Sequence, residues 1–519
     1  MKHDLLLIPS ASYVGAEMRG EFGPLPPALL PVRGDLLVAE QARHYTAAPK
    51  AKILSLLEGF ALAPWQARKI AQAGLETVRV PGGLSLGASI IHALNMHGRY
   101  VDTLHILHGD TIIADLDMGP GGDAFSAHAP AAVYEWDAPA PGGQDTEVLS
   151  GYFCFAEPYR LVREITAARG DFVAGVRAYH AAVGMEARRG GRWYDFGHLQ
   201  TFYKSRRDFS TERAFNALEF GRHTVRKSSA DTGKMAAEVA WFRDMPQHLR
   251  VYTPRLLSVD ETENQIQGYE LEYLHLTPLS DLFVFCDLPL ARWDSILGAC
   301  GAYLSQLRAE VGPGVADTAG LCRDKTLERL AAYARATGTD LEAPWTLNGQ
   351  RTPSLAEIAQ AAWATVEAAG QRQSCITHGD FCFSNILFDF RAEMVRVIDP
   401  RGRGPDGAPS LFGDPAYDLA KLHHSAVGFY DLIISGLFSL SERADHALTF
   451  TLEASAKHLA VRDRFRTWLR AHENQDPAVL QAISVLLFLS MLPLHADRPD
   501  RQRAFLANAL RLHLEGPAP

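Results

Sequence analysis

Paired cysteines are missing from this chain of 519 residues. Its six cysteines (Cys154, Cys286, Cys300, Cys322, Cys375, Cys382) stand far apart with no CxxC among them, which argues against a zinc site and a disulfide framework and fits a reducing cytoplasm. A surplus of positive charge is missing too. With 51 Lys+Arg against 60 Asp+Glu the formal charge is −9, so no surface that tracks a nucleic-acid backbone is expected. No apolar run matches a bilayer. The stretch from Val479 to Leu492 is shorter than the roughly 20 residues a span needs, and Asp476-Pro477 before it reads as an N-cap with proline at the first helical position. A buried core helix without membrane insertion is expected there. Leu5 to Ile8, closed by Pro9, is too short for the apolar region of a signal peptide. Repeats and low-complexity tracts are absent as well, and 47% apolar with 21% charged residues excludes disorder, collagen and coiled coil.

What is present is alternation. Over the first 205 residues short apolar runs alternate with helical patterns, an α/β arrangement. Strands are expected at Leu5 to Ile8, Thr77 to Val80 and Leu104 to Leu107, a Gly- and Pro-rich loop from Pro9 to Pro31, and a helix from about Gly87 to Met96. The Ala- and Pro-rich segment Ala129 to Gly143 reads as a surface loop or hairpin edge. The third strand ends in His108-Gly109-Asp110-Thr111, and polar residues at the carboxyl ends of strands are where open α/β sheets place ligands. Around Lys204 to Glu212 the composition turns charged, after which the pattern becomes β-like and, from about Asp287, long and helical. That boundary divides the chain into units of 1–205 and 212–519, the second with a small lobe to about residue 275 and a large lobe from 276.

The densest chemistry lies at Thr377-His378-Gly379-Asp380-Phe381-Cys382-Phe383-Ser384-Asn385, followed by an apolar strand that delivers Ile398-Asp399-Pro400. Phosphoryl transfer needs one carboxylate to orient and accept the proton of an attacking hydroxyl, plus an amide oxygen and a second carboxylate to hold Mg²⁺ against nucleotide phosphates. Asp380, Asn385 and Asp399 supply those groups. The segment resembles the aminoglycoside phosphotransferase and choline kinase family, with its HGDxxxxN, strand and Asp. The resemblance implies a protein-kinase-like, bilobal α+β domain in which Asp380 is the catalytic base and Asn385 and Asp399 are magnesium ligands. Gly413-Asp414-Pro415-Ala416-Tyr417-Asp418-Leu419-Ala420 resembles the family's GDPxxDLA segment, with Asp414 capping a helix that begins at Pro415 and Asp418 in a structural role. Kinase chemistry further asks for a strand-borne lysine and a helix-borne glutamate, and Lys227 and Glu238 are the candidates. Tyr269 to Leu274 resembles the hinge strand, where backbone near Glu272 and Leu274 would meet adenine. No GxGxxG precedes Lys227, only Gly221. His378 reads as a loop brace, because the chemistry does not require it.

In the first 205 residues, Leu7 to Ala11 with Pro26 to Val32 resembles the opening of sugar-phosphate nucleotidyltransferases. Gly82 to Ser89, with Gly82 and Gly87, resembles their base-binding loop, His108 to Thr111 their metal-binding aspartate segment, Ser150 to Phe155 their sugar-side strand, and Trp193 to Gly197 their WxDxGT element. The resemblance implies a Rossmann-like nucleotide-diphospho-sugar transferase (GT-A-like) domain in which Asp110 and Asp195 jointly hold Mg²⁺. Two departures stand out: Ser10 to Arg19 replaces the GxGxR loop, and Ala28 stands where the family has lysine. Arg19 and Arg33 are the cations nearest in sequence that would substitute. Asp115-Leu116-Asp117 has DxD spacing, which leaves a metal-dependent glycosyltransferase as a weaker reading.

Together the two resemblances imply a bifunctional enzyme of surface-polysaccharide precursor synthesis. ATP would phosphorylate a small hydroxyl substrate (a sugar, polyol or amino alcohol), and a second NTP, CTP among the candidates, would then receive the phosphate product. The competing reading keeps the kinase and makes the first 205 residues a binding or scaffolding module. Small molecules and nucleotides are the expected partners, and oligomeric state is not legible.

Overall fold

The computed structural model describes residues 3–45, 49–116, 118, 122–130, 147–207, 217–443, 446–473 and 475–516. Most of the expected loop at 129–143, the stretch 208–212 at the expected domain boundary, and Asp117 of the DxD-like triplet lie outside the described residues. The chain forms two units, Met1–Thr211 with Phe285–Leu288, and Glu212–Val284 with Pro289–Pro519.

In the first unit Leu5 to Ile8 are all buried, as a strand covered on both faces requires. The strand Asp4–Ser10 pairs in parallel with Ala51–Leu57 on one side and Thr103–Leu107 on the other. The full seven-stranded sheet runs Glu186–Arg188, Ala124–His128, Val148–Phe155, Thr103–Leu107, Asp4–Ser10, Ala51–Leu57, Glu76–Val80. Val148–Phe155 is antiparallel to its neighbours, which makes the sheet mixed and Rossmann-like. Ile90 and Ala93 from the helix Leu86–His97, with Leu161, Ile165, Phe172, Val176 and Tyr179 from two later helices, pack on Leu5, Leu7, Ile106 and Phe153 of the sheet. From Asp4–Ser10 the chain builds outward on one side and then crosses to the other, so a crevice opens beyond the carboxyl ends of Asp4–Ser10 and Thr103–Leu107. Asp110 stands at that crevice.

The stretch expected as loop from Pro9 to Pro31 contains a helix, Ala16–Phe22, and a 3₁₀ turn, Pro27–Leu29. Met18 and Phe22, one helical turn apart, bury one side of it. Flanking Gly15, Gly23 and the prolines conceal this short period in the sequence.

The small lobe of the second unit is an antiparallel sheet in the order Ala217–Phe220, Thr224–Ser228, Gln265–Glu272, Leu256–Thr262, with the helix Thr232–Asp244 beside it. In the large lobe a three-stranded sheet joins Thr277–Pro278, Ile386–Asp389 and Met394–Val397. The region expected to be helical from about Asp287 is helix-rich, opening with Leu290–Ala309, but further short strand pairs interrupt it. The apolar helix Pro477–Met491 is buried from Val479 to Met491, with Asp476 accepting a cap hydrogen bond from the Ala478 amide at 2.8 Å. It packs against the helices Lys325–Thr337, Leu355–Ala368, Pro415–Ala426 and Pro499–Glu515, which accounts for its apolarity on every side.

Candidate active sites

Asn385 and Asp399 come together through a hairpin. Ile386 pairs with Val397, and the Ile398 amide donates to the Asn385 carbonyl at 3.0 Å, so the residues just before and just after the hairpin are neighbours. Asp399 holds a left-handed φ of +56°, a conformation rare outside glycine that is sustained only by a surrounding structure such as this hairpin. Asn385 is buried and donates through Nδ2 to the Asp380 carbonyl and to Asp380 Oδ2, both at 2.9 Å. Its amide nitrogen is thereby committed to Asp380, which leaves Oδ1 as the end that can serve a cation.

The loop that carries Asp380 is braced from behind. Asp418 accepts from the His378 and Gly379 amides, each at 2.7 Å, and burial pushes its acid up to about 7 against the pull of those two donors. Asp414 caps the same helix, Pro415–Ala426, through the Ala416 amide at 2.9 Å. His378 is fully buried. Its Nε2 lies 3.0 Å from the Ile398 carbonyl and must donate, while its Nδ1 accepts from the Asp380 amide at 3.3 Å. Burial pushes its pKa down to about 4, so a neutral imidazole ties the Asp380 loop to the Asp399 strand.

Lys227 sits in the middle of its strand, paired with Tyr269, and points inward. Its Nζ lies 2.7 Å from Glu238 Oε2 and 3.0 Å from Asp399 Oδ1. Burial opposes the charge of Lys227, but Asp399 and Glu238 outweigh it and raise the pKa. Tyr269 donates a further hydrogen bond to Glu238, and Lys234 stands 3.7 Å from that carboxylate. Thr224 to Ser228 is reached through a tight hairpin at Gly221, whose amide donates to the Thr224 carbonyl at 2.9 Å. At the expected hinge, Glu272 and Tyr273 donate their amides to the carbonyls of Arg255 and His223, whereas the Leu274 amide makes no such bond among the described residues. The Leu274 amide is therefore a donor not used within this sheet among the described residues.

Lys421 is absent from the sequence reading. Lys421 Nζ lies 2.8 Å from Asp380 Oδ1, with a side chain only 13% exposed. Burial again opposes its charge, and Asp380 overcomes that and raises its pKa. Helical spacing carried the signal, because Asp418 and Lys421 are three apart on one helix and share a face. Lys421→Met should lower kcat about 10²-fold by letting the carboxylate swing from its aim, with little change in KM for ATP. Steady-state kinetics against both substrates checks this, and an unchanged kcat would refute the positioning role.

In the first unit the ribbon Thr111–Ala114 pairs antiparallel with Arg192–Asp195, placing Asp195 opposite Thr111. The Phe196 amide donates to the Asp110 carbonyl at 2.8 Å. A Cβ added to Gly197 would lie 2.6 Å from Asp110 Oδ2 and 3.2 Å from Asp195 Oδ1, so both carboxylates border one small space that only glycine leaves open. Burial, then the charge of Asp195, pushes Asp110 up to about 6. Asp195 behaves oppositely. Burial works against its charge, but His198 at 2.8 Å, the Gly197 amide at 2.8 Å and the Thr201 hydroxyl at 2.7 Å hold it below the usual carboxylate range. Two crowded carboxylates of which one resists ionisation form an oxygen donor set suited to Mg²⁺, which is often bound by one or two carboxylates plus substrate phosphates. Asn385 Oδ1 and Asp399 offer the corresponding set in the second unit.

The other expected residues fall differently. Arg19 is exposed on the helix Ala16–Phe22, whose Glu17 acts electrostatically on His198. Arg33 is exposed and 4.0 Å from Glu40. Ala28 is fully buried and its amide donates to Ser10 Oγ at 3.0 Å, so position 28 extends no group into the crevice. Gly82 is exposed with open space beside it, whereas Gly87 is closed by Gly170 and Ile165, each 2.6 Å from an added Cβ. Gly87 therefore serves helix packing, and no contact joins either glycine to the carboxylate pair among the described residues.

These arrangements give two candidate sites, one in a two-lobed unit and one at the crevice of an open α/β sheet. Residues 206–438 match the family model described as the phosphotransferase enzyme family. No curated protein sequence matches the chain. Among solved structures, the chain is similar to the GDP complex of wild-type aminoglycoside 2′-phosphotransferase-IIIa (12% identity, 59% of this chain and 91% of that one, TM-score 0.37). It is also similar to the inositol-1-phosphate CTP transferase from T. maritima (10% identity, 40% and 95%, TM-score 0.30) and to the UTP-bound UGPase from Acinetobacter baumannii (13% identity, 40% and 92%, TM-score 0.29).

Proposed function

We propose that the chain catalyses two consecutive transfers. In the second unit Asp380 orients a substrate hydroxyl and takes its proton as the oxygen attacks the γ-phosphorus of ATP, releasing ADP. Lys227, fixed by Glu238, holds the nucleotide phosphates, and Asn385 and Asp399 would hold Mg²⁺, which would supply charge neutralisation there. The observation that carries this reading is Asp380 clamped between Asn385 and Lys421 beside the Lys227–Glu238–Asp399 group. In the first unit Asp110 and Asp195 align the phosphate product, whose oxygen attacks the α-phosphorus of a second NTP and expels pyrophosphate. The product is a nucleotide-activated small molecule, a precursor of surface polysaccharide made in the cytoplasm, with neither nucleic acid nor membrane insertion involved. CTP is a candidate donor because the transferase from T. maritima is described as a CTP enzyme.

Buried Ala28 favours a second reading, in which the first unit binds without catalysing, since no cation at that position meets the developing charge on the triphosphate. Mass spectrometry decides between them. The full chain is incubated with Mg²⁺, ATP, each NTP in turn and a panel of sugars, sugar acids, polyols and amino alcohols. A phosphorylated compound followed by its nucleotidyl derivative and pyrophosphate is the expected result. Phosphorylation without any nucleotidyl product from all four NTPs would leave only the binding-module reading.

A further inference from the structure

Around Asp380 the charge has the wrong sign for an amine substrate. Lys325 and Arg329 lie one turn apart on the helix Lys325–Thr337, Arg401 follows two residues after Asp399, and Lys421 comes from the helix Pro415–Ala426. Three separate segments thus bring together four basic side chains, close enough for Lys325 to feel Arg401, Arg329 and Lys421 electrostatically, with Asp380 acting in the opposite sense. Arg401 lies directly on the catalytic loop: its amide donates to the His378 carbonyl at 2.9 Å, and its Cβ would be 2.6 Å from a Cβ added to Gly379. The turn that leads into Lys325 meets the segment that carries Arg401, with an added Cβ on Gly320 reaching 2.8 Å from Pro405 Cβ.

The acids beside the cluster are already engaged: Asp418 accepts from the His378 and Gly379 amides, and Asp414 pairs with Arg372 at 3.2 Å and caps its own helix. Asp380 is already committed to Asn385 and Lys421. Arg329 spends Nη1 on the Ser490 carbonyl at 3.1 Å, and neighbouring Arg403 stands 3.5 Å from Asp231. Arg401 Nη1 is buried with no hydrogen-bond partner among the described residues, and Lys325 makes neither a hydrogen bond nor an ion pair there. Burial, followed by Arg401, Arg329 and Lys421, pushes Lys325 down to about 6. Like charges crowded out of water carry a cost that an arriving anion offsets. ATP does not account for the cluster, because its phosphates are served by Lys227 with Asn385 and Asp399, whereas Lys421 grips the carboxylate that faces the acceptor.

We propose that the hydroxyl compound phosphorylated at Asp380 carries an anionic group of its own, a carboxylate or a phosphate ester, received by Lys325, Arg329 and Arg401. The proposal rests on the phosphotransferase reading of this site and narrows its substrate class, setting aside amino alcohols and other cationic acceptors.

Calorimetry on the full chain tests it. With Mg²⁺ and a non-hydrolysable ATP analogue at saturation, the protein is titrated with glucuronate, glucose 6-phosphate and glucose, which share a ring and differ in charge. At least one of the two anions should bind about ten-fold or more tighter than glucose, and the tighter one distinguishes carboxylate from phosphate ester. Lys325→Gln and Arg329→Gln should each bring that anion close to the level of glucose, while Arg329→Lys retains most of the preference. The affinity for the analogue should not change, which also verifies that the variants are folded. Equal binding of all three compounds, no binding of any, or a preference that survives both substitutions would overturn the proposal. Failure of the unaltered chain to bind the analogue would instead overturn the phosphotransferase reading beneath it.

Discussion

Asp380→Asn should reduce ATP-dependent phosphorylation by roughly 10²–10⁴-fold, the range that a positioned general base contributes. Asparagine keeps the size of the side chain but cannot accept the proton of the substrate hydroxyl. It also ends the ion pair with Lys421, whose charge then loses the carboxylate that outweighs its burial. The nucleotide side remains whole, because Lys227, Glu238 and Asp399 hold one another without Asp380. The loss should therefore appear in kcat, with the affinity for the ATP analogue retained. Release of ADP followed at saturating ATP and acceptor checks this, and a variant with full turnover would remove Asp380 from the mechanism. Nucleotidyl transfer to an acceptor supplied already phosphorylated should continue in the same variant.

The two sites differ in how much of them the sequence disclosed, and chain separation is the cause. Asp380, Asn385 and Asp399 are read from one stretch because a loop and a hairpin bring them together locally, and the register of Ile386 with Val397 needs nothing from the rest of the molecule. Lys227 and Glu238 are likewise a strand and its following helix. Lys421 lay within reach of the same reasoning through its spacing from Asp418. Arg401, Lys325 and Arg329 did not, since their meeting depends on how two distant segments pack, which no periodicity encodes. In the first unit the strand positions follow from apolar runs, yet Asp110 and Asp195 are joined by a ribbon between remote segments, visible beforehand only through resemblance. The helix Ala16–Phe22 was hidden because it is one of the shortest in the chain, with a glycine at each end and two buried residues to mark its period.

Asp110→Asn should stop the second transfer and spare the first. A carboxylate that helps bind a catalytic cation stabilises charge formed only in the transition state, so its loss should lower pyrophosphate release by at least about 10²–10³-fold. Unfolding would not explain that loss. Asp110 is pushed up to about 6 by burial and by Asp195, from 3.8 when unperturbed, so above pH 6 the ionised group works against the folded state. A neutral amide removes both the desolvation cost and the repulsion, and the variant should melt at the same temperature as the original or higher at pH 8. Asp195 makes the contrasting control. His198, Gly197 and Thr201 stabilise its charge, so Asp195→Asn should lower the melting temperature as well as the rate. Pyrophosphate release and ADP release measured on the same preparations separate the two transfers, with the second assay unchanged in both variants. If Asp110→Asn releases pyrophosphate at the original rate, the carboxylate pair is not a nucleotidyl-transfer site, and the first unit is left with binding as its role.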